Sequence, residues 1–356
     1  MLKLFENFTN PSNNYVIANS NGSKITPTKI SGNKYYVSFT STAGVNTFQV
    51  KARSLTCDIL VIGGGGSGAN YGGGGGGAGA MIYKTNWTLK KGTYTINVGK
   101  GGDKGGPGTG GGTIGKNGGD SSIYFNNQYI FYAVGGGAGS NPWDQPTTGG
   151  SGGGGGKGSG AIAAAESIKN IPSGTYGNAG AAPYDWTYGG GGGGAGSAGK
   201  RRADGQPNSN GGYGGDGLSN NITGSSVTYA QGGNAGYYQD GSYYPQESKD
   251  GTGNGGDGAN YSKGQDSGKN GGSGIVIIAF NASGDDYGDD YGDDYEGHYD
   301  DEGGRTSKSS SATGSNNVAK LCASSKNNII VGHSSKATIY TYQNNTWTYS
   351  KSITPN

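Results

Sequence analysis

A stretch in the first quarter of the chain has the residue types and spacing of a nucleotide-binding loop. The apolar segment Asp58-Ile59-Leu60-Val61-Ile62 runs into Gly63-Gly64-Gly65-Gly66-Ser67-Gly68, which satisfies the pattern Gly-X-Gly-X-X-Gly after a strand. A dinucleotide site of this kind needs a helix whose N-terminus holds the pyrophosphate. Residues 72–77 are all glycine, and each glycine disfavours a helix by about 1 kcal/mol relative to alanine. The sequence therefore argues against a dinucleotide site.

The other catalytic patterns in the chain are incomplete. Gly149-Gly150-Ser151-Gly152-Gly153 has the spacing of a nucleophile elbow, but no strand precedes it and no helix follows it. The only histidines are His298 and His333, and no glycine run ends in the Gly-Lys-Ser/Thr of a phosphate-binding loop. Two histidines and two distant cysteines, Cys57 and Cys322, lack the spacing of a zinc site. We predict a protein that is not an enzyme, without catalytic residues, cofactor or metal ligands.

A threefold Gly-Asp-Asp-Tyr repeat spans residues 284–295. Its carboxylates could collect calcium weakly, because hard cations prefer carboxylate oxygen, but the repeat lacks the spacing of an EF-hand loop. Ten of the 24 acidic residues and none of the 26 basic residues lie in 281–304, and adjacent like charges extend a chain. A solvated acidic and Ser-rich linker over 281–316 is the favoured interpretation.

Glycine dominates the composition, with 81 of 356 residues, and the net charge is only +2. Lys200-Arg201-Arg202 is the one cluster of basic residues, a weak signal for nucleic acid, and we predict no nucleic-acid partner. No stretch approaches the ~18 apolar residues of a membrane span, and residues 1–6 lack the apolar region of a signal peptide. We therefore predict neither feature.

The elements that would position any functional residue are strands. Short β-type segments with turn residues between them predict seven strands in quick succession and an eighth after a long interval. Their predicted ranges are 34–40, 46–50, 57–62, 80–85, 93–98, 121–126, 129–134 and 274–280. Asn126-Asn127-Gln128 is predicted to be a hairpin turn. The pattern favours an all-β fold, a jelly-roll-like antiparallel β-sandwich over residues 30–280.

Residues 135–273 are then an insertion in that sandwich. Glycine-rich runs alternate with short aromatic segments, and only 161–169 has a helical pattern. Glycine can adopt the threefold polyproline II helix, and several such helices packed side by side can satisfy each other's N–H and C=O groups. An ordered bundle of these polyglycine helices is the favoured interpretation, and mobile loops are the alternative.

The aromatic segments between the glycine runs are the candidate binding residues. Tyrosine and tryptophan give a large contact area for few rotatable bonds, and next to Asp they suit stacking on sugar rings. The candidates are Trp143, Asp144, Tyr184, Asp185, Trp186, Tyr188, Tyr237, Tyr238, Tyr243 and Tyr244. The alternative is that these rings pack down on the bundle or the sandwich, since a glycine core supplies no side chains of its own.

The two ends of the chain differ from its centre. Residues 1–29 are polar, Asn-rich and broken by Pro11 and Pro27, which predicts an extended attachment arm. Residues 317–356 recover strand character in the segments 328–332, 337–342 and 344–348. This predicts a β-hairpin or a segment that resembles one blade of an FG-GAP-type β-propeller. One blade cannot bury a core alone, so more chain or another subunit must complete it.

Residues 34–280 resemble the glycine-rich domain of bacteriophage tail-fibre adhesins and of virion proteins of large DNA viruses. A similar domain occurs in the ectodomain of anaplastic-lymphoma-kinase-type receptors. The features that carry the resemblance are the strand 58–62 opening on glycines 63–68, the segment 72–80, Gly92-Thr93-Tyr94-Thr95-Ile96-Asn97-Val98-Gly99, Asn117-Gly118-Gly119-Asp120-Ser121-Ser122 and the closing 272–278.

The resemblance implies a function at a particle surface. In the phage proteins, loops at the end of the glycine bundle contact the host, so we expect a fibre, spike or capsid-surface component of a virion. The expected partners are a host-surface glycan or protein receptor and other virion proteins, the latter through residues 1–29, and a homo-oligomer is possible. The alternative expectation is a secreted or cell-surface glycine-rich binding module.

Overall fold

A computed structural model describes the chain in two compact units, Met1–Tyr291 and Gly292–Asn356. The described residues are 16–105, 115–156, 177–184, 188–202, 211–236, 245–260, 267–282, 320–325, 328–332, 337–343 and 346–353. In the last four ranges only the backbone is described. All regular elements among these residues are strands, and all their pairings are antiparallel, as the sequence predicted for an all-β protein. The predicted helix at 161–169 lies outside the described residues.

The first unit has eleven strands. They are β1 (Val16–Ser20), β2 (Ser23–Ile25), β3 (Thr28–Ser31), β4 (Lys34–Phe39), β5 (Asn46–Ile62), β6 (Met81–Asn97), β7 (Ser121–Phe125), β8 (Gln128–Ala133), β9 (Leu218–Asn220), β10 (Val227–Tyr229) and β11 (Ile275–Asn281). Nine of them form one sheet in the order β3-β4-β11-β5-β6-β7-β8, with β1 on β5 and β2 on β1, and β9 pairs with β10 alone. The last strand in sequence thus lies in the middle of the sheet.

Strands β5 and β6 are each 17 residues long, where the sequence predicted two short strands apiece. The ladder between them shifts register between Val50 and Ser54 and again between Cys57 and Ile59. A β-bulge lets a strand bend and continue, so a polar interruption of the apolar alternation need not end the strand. The first half of β5 also pairs with β1 and the second half with β11.

Part of the predicted arm belongs to the sheet. Val16 and Ala18 are buried, and β1 pairs with β5 over its whole length. Residues from Val16 onward are therefore sheet residues rather than an extended arm, and residues 1–15 lie outside the described residues. Strand β1 is only five residues long. Its alternation of buried and half-buried residues is too short to be distinguished, from sequence alone, from a polar loop.

The predicted hairpin turn is present between β7 and β8. Phe125 pairs with Gln128, which leaves Asn126 and Asn127 as a two-residue loop. Both asparagines have positive φ, 47° and 60°. A type I′ turn requires this conformation at both positions, and asparagine tolerates it better than other residues with a side chain.

One face of the sheet buries a side-chain core. Phe48 and Phe280 contact each other with ring centroids 6.3 Å apart, and both are almost fully buried. Trp87 of β6 packs edge-on against Phe131 of β8 at 5.2 Å. The large side chains of this first cluster with under 2% exposure are Phe39, Phe48, Phe131, Phe280, Ile59, Ile82, Leu89, Ile96 and Ile123. Leu60 and Ile62 alternate with Ile59 along the strand and belong to a second buried cluster together with Ile277. Burial of each such side chain contributes roughly 1.5–3 kcal/mol.

The glycine runs are held by backbone hydrogen bonds that repeat every third residue. In the run 63–69, the N–H groups of Gly63, Gly66 and Ala69 donate to carbonyls of one neighbouring run, at Ala80, Gly77 and Gly74. The N–H groups at positions 64 and 67 donate to a second run, and those at 65 and 68 to a third. Three successive residues therefore point their N–H groups at three different neighbours.

The run 72–80 lies at the centre of this arrangement. It exchanges backbone hydrogen bonds with six other runs, which are 63–69, 134–140, 150–155, 189–196, 230–236 and 253–259. Gly76, for example, donates to Gly256 O and accepts from Gly233 N, both at 2.8 Å. A Cβ built on Gly76 would lie closer than 3.0 Å to the Gly66 carbonyl, so no side chain fits there.

The described part of the second unit is a four-stranded antiparallel sheet. Its strands are β12 (Lys320–Ser325), β13 (Asn328–Gly332), β14 (Ala337–Gln343) and β15 (Thr346–Ile353), and they are paired in sequence order. The sequence predicted the last three. It missed β12, whose small and polar residues carry little strand signal.

Candidate functional site

The glycine runs have one end at the sheet and one end away from it. Run 63–69 begins directly after β5 and run 72–80 ends directly before β6, so Gly63 and Ala80 mark the sheet end. The bond from Ala69 N to Gly74 O, 3.0 Å long, closes the opposite end. We call this opposite end of the runs the tip.

Two aromatic rings stack at the tip. Tyr71 lies in the turn between two runs with φ 66°, and its ring centroid is 5.3 Å from that of Trp143. The turn that carries Trp143 is fixed by Asn141, whose Oδ1 accepts hydrogen bonds from the N–H groups of Trp143 and Asp144, each at 2.9 Å. Trp143 is nevertheless 58% exposed. A buried amide therefore fixes the backbone turn that carries an exposed indole.

A second aromatic group lies on the neighbouring runs. Tyr184 N donates to Tyr188 O at 3.2 Å, so the backbones of the two tyrosines are in direct contact. The Arg202 guanidinium carbon lies 4.0 Å from the Tyr188 ring centroid, and that of Arg201 lies 6.0 Å from the Tyr184 centroid. Both distances fall within the range of cation–π contacts. Tyr184 and Arg201 are exposed, and Tyr188 and Arg202 are half-buried.

Backbone hydrogen bonds place both aromatic groups at the same end of the molecule. Gly74 N donates to Ser140 O at 2.9 Å, three residues before Trp143, and Gly75 N donates to Gly190 O at 3.1 Å, two residues after Tyr188. The run that precedes Trp143 and the run that follows Tyr188 are thus both bonded to the run that follows Tyr71, close to its tip end. We define the tip surface as the set of these exposed and half-buried side chains: Tyr71, Trp143, Asp144, Tyr184, Tyr188, Arg201 and Arg202.

Four of the ten predicted binding residues belong to the tip surface, namely Trp143, Asp144, Tyr184 and Tyr188. The other six, Asp185, Trp186, Tyr237, Tyr238, Tyr243 and Tyr244, lie outside the described residues. The sequence reasoning missed Tyr71, Arg201 and Arg202. The sequence does contain a signal for Tyr71, which is a single tyrosine between two glycine runs and therefore marks the turn that joins them.

The glycines that resemble a nucleotide loop are engaged with other runs. The N–H groups of Gly64, Gly65 and Gly66 donate to the carbonyls of Gly119, Gly272 and Gly77 at 2.8–2.9 Å. A phosphate-binding loop must keep its N–H groups available for the ligand. Ser151 of the elbow-like pattern is fully buried, and its Oγ finds no partner among the described residues.

A polar groove of about 700 Å³ lies beside the runs and contains three carboxylates. Glu247 accepts from Asn270 N at 3.2 Å and Asp250 accepts from Ser273 N at 2.9 Å. Lys100 donates to Asp103 at 2.6 Å, which lowers the pKa of that carboxyl. Two of the three carboxylates therefore serve as acceptors for the closing glycine run.

Reactive and metal-binding groups are scarce in the part of the chain that the structure describes. Within it, no three His, Cys, Asp or Glu residues are grouped so as to hold a metal ion. Burial, and to a smaller extent the adjacent Asp58 carboxylate, raises the pKa of the Cys57 thiol to about 12, so at neutral pH this thiol is protonated.

No helix among the described residues is long and apolar enough to span a membrane.

The sequence matches the family described as "Glycine-rich domain" over residues 40–281, which is more than half of the chain. The chain belongs to the glycine-rich domain family. The match begins just after β4 and ends with β11, so it includes the glycine runs and the described residues of the tip surface. No curated protein matches the sequence.

Proposed function

We propose that this glycine-rich domain protein is a non-enzymatic structural protein of a virus particle, a fibre, spike or capsid-surface component. Its tip surface contacts the host surface or a neighbouring subunit. Residues 1–29, whose second half lies in strands β1 to β3 of the sheet, join it to other virion proteins. The observation that carries the proposal is Trp143, which is 58% exposed yet fixed by two hydrogen bonds from its turn to the buried Asn141. Exposed aromatic rings held in one conformation are typical of binding surfaces.

The proposal includes a finer description of the glycine runs as polyglycine II helices. Such a helix has three residues per turn and no internal hydrogen bonds, so its N–H groups point outward in three directions. The period of three in the hydrogen bonds, and the six runs around 72–80, support this description. A bundle of this kind holds the tip turns at a fixed distance from the sheet without using side chains.

The same proposal describes the nine-stranded sheet as a jelly-roll-like β-sandwich. The support is the contact of Trp87 on β6 with Phe131 on β8, two strands that are not neighbours in the sheet. The contact spans the intervening strand β7, so it fits a sheet that curves around the buried phenylalanines at its β8 edge. The four-stranded sheet β12–β15 is described as one propeller-like blade, because four strands paired in sequence order make up such a blade.

A binding experiment with a matched control tests the role of the tip. In the full-length protein, the double variant Tyr71→Ala and Trp143→Ala removes the pair formed by half-buried Tyr71 and exposed Trp143, whereas Tyr129→Ala removes an aromatic residue that is 54% exposed on β8. We expect the double variant to bind cells of the host at least about tenfold more weakly than wild type, because each anchor residue contributes about 1–2 kcal/mol or more. Tyr129→Ala is expected to bind like wild type.

Two outcomes would overturn the proposal. Wild-type binding by a double variant that unfolds at the wild-type temperature would show that the two rings serve packing rather than attachment. Mass spectrometry of purified particles tests the location separately. Absence of the protein from particles, together with its presence on the cell surface, would favour a cell-surface binding module.

A further inference from the structure

Strand β5 has two neighbours on one of its sides, and these neighbours do not meet. β11 pairs with the second half of β5 as far as Cys57, and β1 pairs with the first half as far as Val50, while β6 occupies the other side. Among the strands that the structure describes, none pairs with the β1 and β11 side of residues 51–56, which we call the β5 gap. Such an edge presents unpaired N–H and C=O groups, so it can accept an added extended segment.

The β5 gap carries positive charge without a counterion. Lys51 and Arg53 are exposed in the gap, and Lys90 is exposed beside it on β6. None of these three side chains forms an ion pair within the described part of the chain. The one carboxylate of β5 and β6, that of Asp58, already accepts from Lys34 at 2.9 Å. Neighbouring like charges repel each other, so an anionic group in the gap is favoured.

The chain leaves β11 in the direction of this gap. β11 runs antiparallel to β5, and its last pair on β5 is Phe280 with Cys57. Ala282, two residues further on, is still buried, and its N–H donates to Asn33 O at 2.8 Å. At Ala282 the chain therefore still runs along the sheet toward the β5 gap.

The residues that follow carry the charge that the gap lacks. Residues 284–291, which belong to the same compact unit as the sheet, read Gly-Asp-Asp-Tyr-Gly-Asp-Asp-Tyr, with four carboxylates and no basic residue. Continued one residue at a time, the register of β11 on β5 would bring the first two carboxylates opposite Ala52 and Lys51. An extended chain rises about 3.3 Å per residue, so no linker is needed to reach the cations.

We propose that the acidic segment 284–291 binds in the β5 gap of the same molecule, with its aspartates paired to Lys51, Arg53 and Lys90. Exposed ion pairs are individually weak, but the segment is tethered beside the gap, so its effective concentration there is high. The proposal gives a binding surface to two of the three acidic repeats, and it is independent of what the tip surface contacts.

Residues 1–15, which precede β1, also lead into the gap. They contain one Lys and one Glu, so the cations of the gap do not attract them. Pro11 among them lacks the N–H that pairing with a strand requires. The charge of the gap therefore selects the acidic segment over this one.

Hydrogen–deuterium exchange of the full-length protein tests whether the gap is occupied. The aspartate variant combines Asp285→Asn, Asp286→Asn, Asp289→Asn and Asp290→Asn, and the cation variant combines Lys51→Gln and Arg53→Gln. The control variant, Lys104→Gln with Lys249→Gln, removes two exposed cations from the glycine-rich part of the chain. Peptides that cover residues 51–56 should exchange at least about tenfold faster in the aspartate and cation variants than in wild type and control.

Carbodiimide cross-linking of carboxylates to amines identifies the occupant and the molecule it comes from. The reagent is applied to an equal mixture of isotopically light and heavy protein, and the products are read by mass spectrometry. Cross-links within one copy, from segment 284–291 to Lys51 and Lys90, should be at least about fivefold more frequent than those to Lys104 and Lys249. They should decrease at 1 M salt, where the Debye length is about 3 Å.

Three results would overturn the proposal. The first is equal exchange of residues 51–56 in wild type and the aspartate variant. The second is a majority of cross-links between light and heavy copies, which would show that the segment binds a neighbouring molecule. The third is cross-linking of Glu6 to Lys51, which would show that residues 1–15 fill the gap. The aspartate variant leaves every described strand unchanged, so a loss of protection confined to 51–56 reports the contact and not a loss of the fold.

Discussion

The sheet and the glycine bundle of this protein are stabilised by different interactions. In the sheet, side chains such as Phe48, Phe131 and Phe280 fill the interior, and their burial stabilises the fold. In the bundle, every residue of run 72–80 is buried, yet the run holds only glycine and alanine. What fixes these residues is the set of backbone hydrogen bonds to six neighbouring runs.

This difference predicts which amino-acid substitutions each region tolerates. A side-chain core accepts substitutions that conserve volume, because neighbouring side chains can repack. The bundle has no side chains to repack, and at most of the glycines a Cβ would meet backbone of another run closer than 3.0 Å. The bundle should therefore be sensitive to the smallest possible enlargement, whereas the sheet should be sensitive to loss of volume.

The largest effect is expected for Gly76→Ala. The added methyl group would overlap the Gly66 carbonyl, and both runs are fixed on all sides. We expect a loss of more than about 3 kcal/mol in the free energy of unfolding, the upper part of the range for overpacked cores. Urea denaturation followed by circular dichroism measures this loss. A variant with wild-type stability would mean that the runs are not packed backbone to backbone.

Gly119→Ala is the matched control for Gly76→Ala. Gly119 also lies in a glycine run, but its Cβ would meet its nearest atom, Lys100 N, at 3.1 Å, and the residue is only partly buried. A shift of a few tenths of an ångström relieves that contact. We expect a loss below about 1.5 kcal/mol, so the two variants separate close packing from a general preference for glycine.

A comparable effect, with an upper limit of about 5 kcal/mol, is expected in the sheet core. Phe48→Ala should cost about 3–5 kcal/mol because it leaves a cavity beside Phe280, and Phe48→Leu should cost clearly less because it conserves most of the volume. Comparison of these two variants by urea denaturation gives the dependence on volume. Equal losses in both would show that the Phe48 site depends on the aromatic contact rather than on filled space.

The smallest effect concerns side chains that complete the bundle at its edges. The Asp257 carboxylate, only 6% exposed as a residue, accepts from Asn234 N at 2.8 Å and from Gln246 N at 2.9 Å. Asp257→Ala should cost about 1–3 kcal/mol, because water cannot easily replace a buried acceptor. Asp250→Ala, at an exposed residue that accepts from Ser273 N, should cost less in the same denaturation assay. A larger loss for Asp250→Ala would contradict this explanation.

Much of the sheet follows from the sequence. The alternating apolar segments before and after the glycine-rich region predict β4, β7, β8 and β11 to within one residue at each end. The pair Asn126-Asn127 predicts its own turn, because few other residues accept two successive positive φ angles. Local patterns suffice here, since strands and turns impose their requirements on neighbouring residues.

The partners of the glycine runs could not be predicted. A glycine carries no side chain, so the sequence of run 72–80 contains nothing that selects run 189–196 rather than another as its neighbour. The continuity of β5 was missed for a related reason. The segment Lys51 to Ser54 is polar except for Ala52 and resembles a loop, and only the pairing with β6 shows the register shift. The composition of the tip surface depends on these long-range pairings, so Arg201 and Arg202 could not be assigned to it.

Hydrogen–deuterium exchange of the full-length protein measures directly whether the bundle is ordered by its backbone. Because the N–H groups of Gly63 to Gly68 and of Gly74 to Gly79 are donated to neighbouring runs, peptides from these stretches should exchange at least about a hundredfold more slowly than an unstructured glycine peptide. Their protection should approach that of peptides from β5 and β11. Exchange at the unstructured rate in these runs, with the sheet still protected, would show that the glycine-rich region is a set of mobile loops.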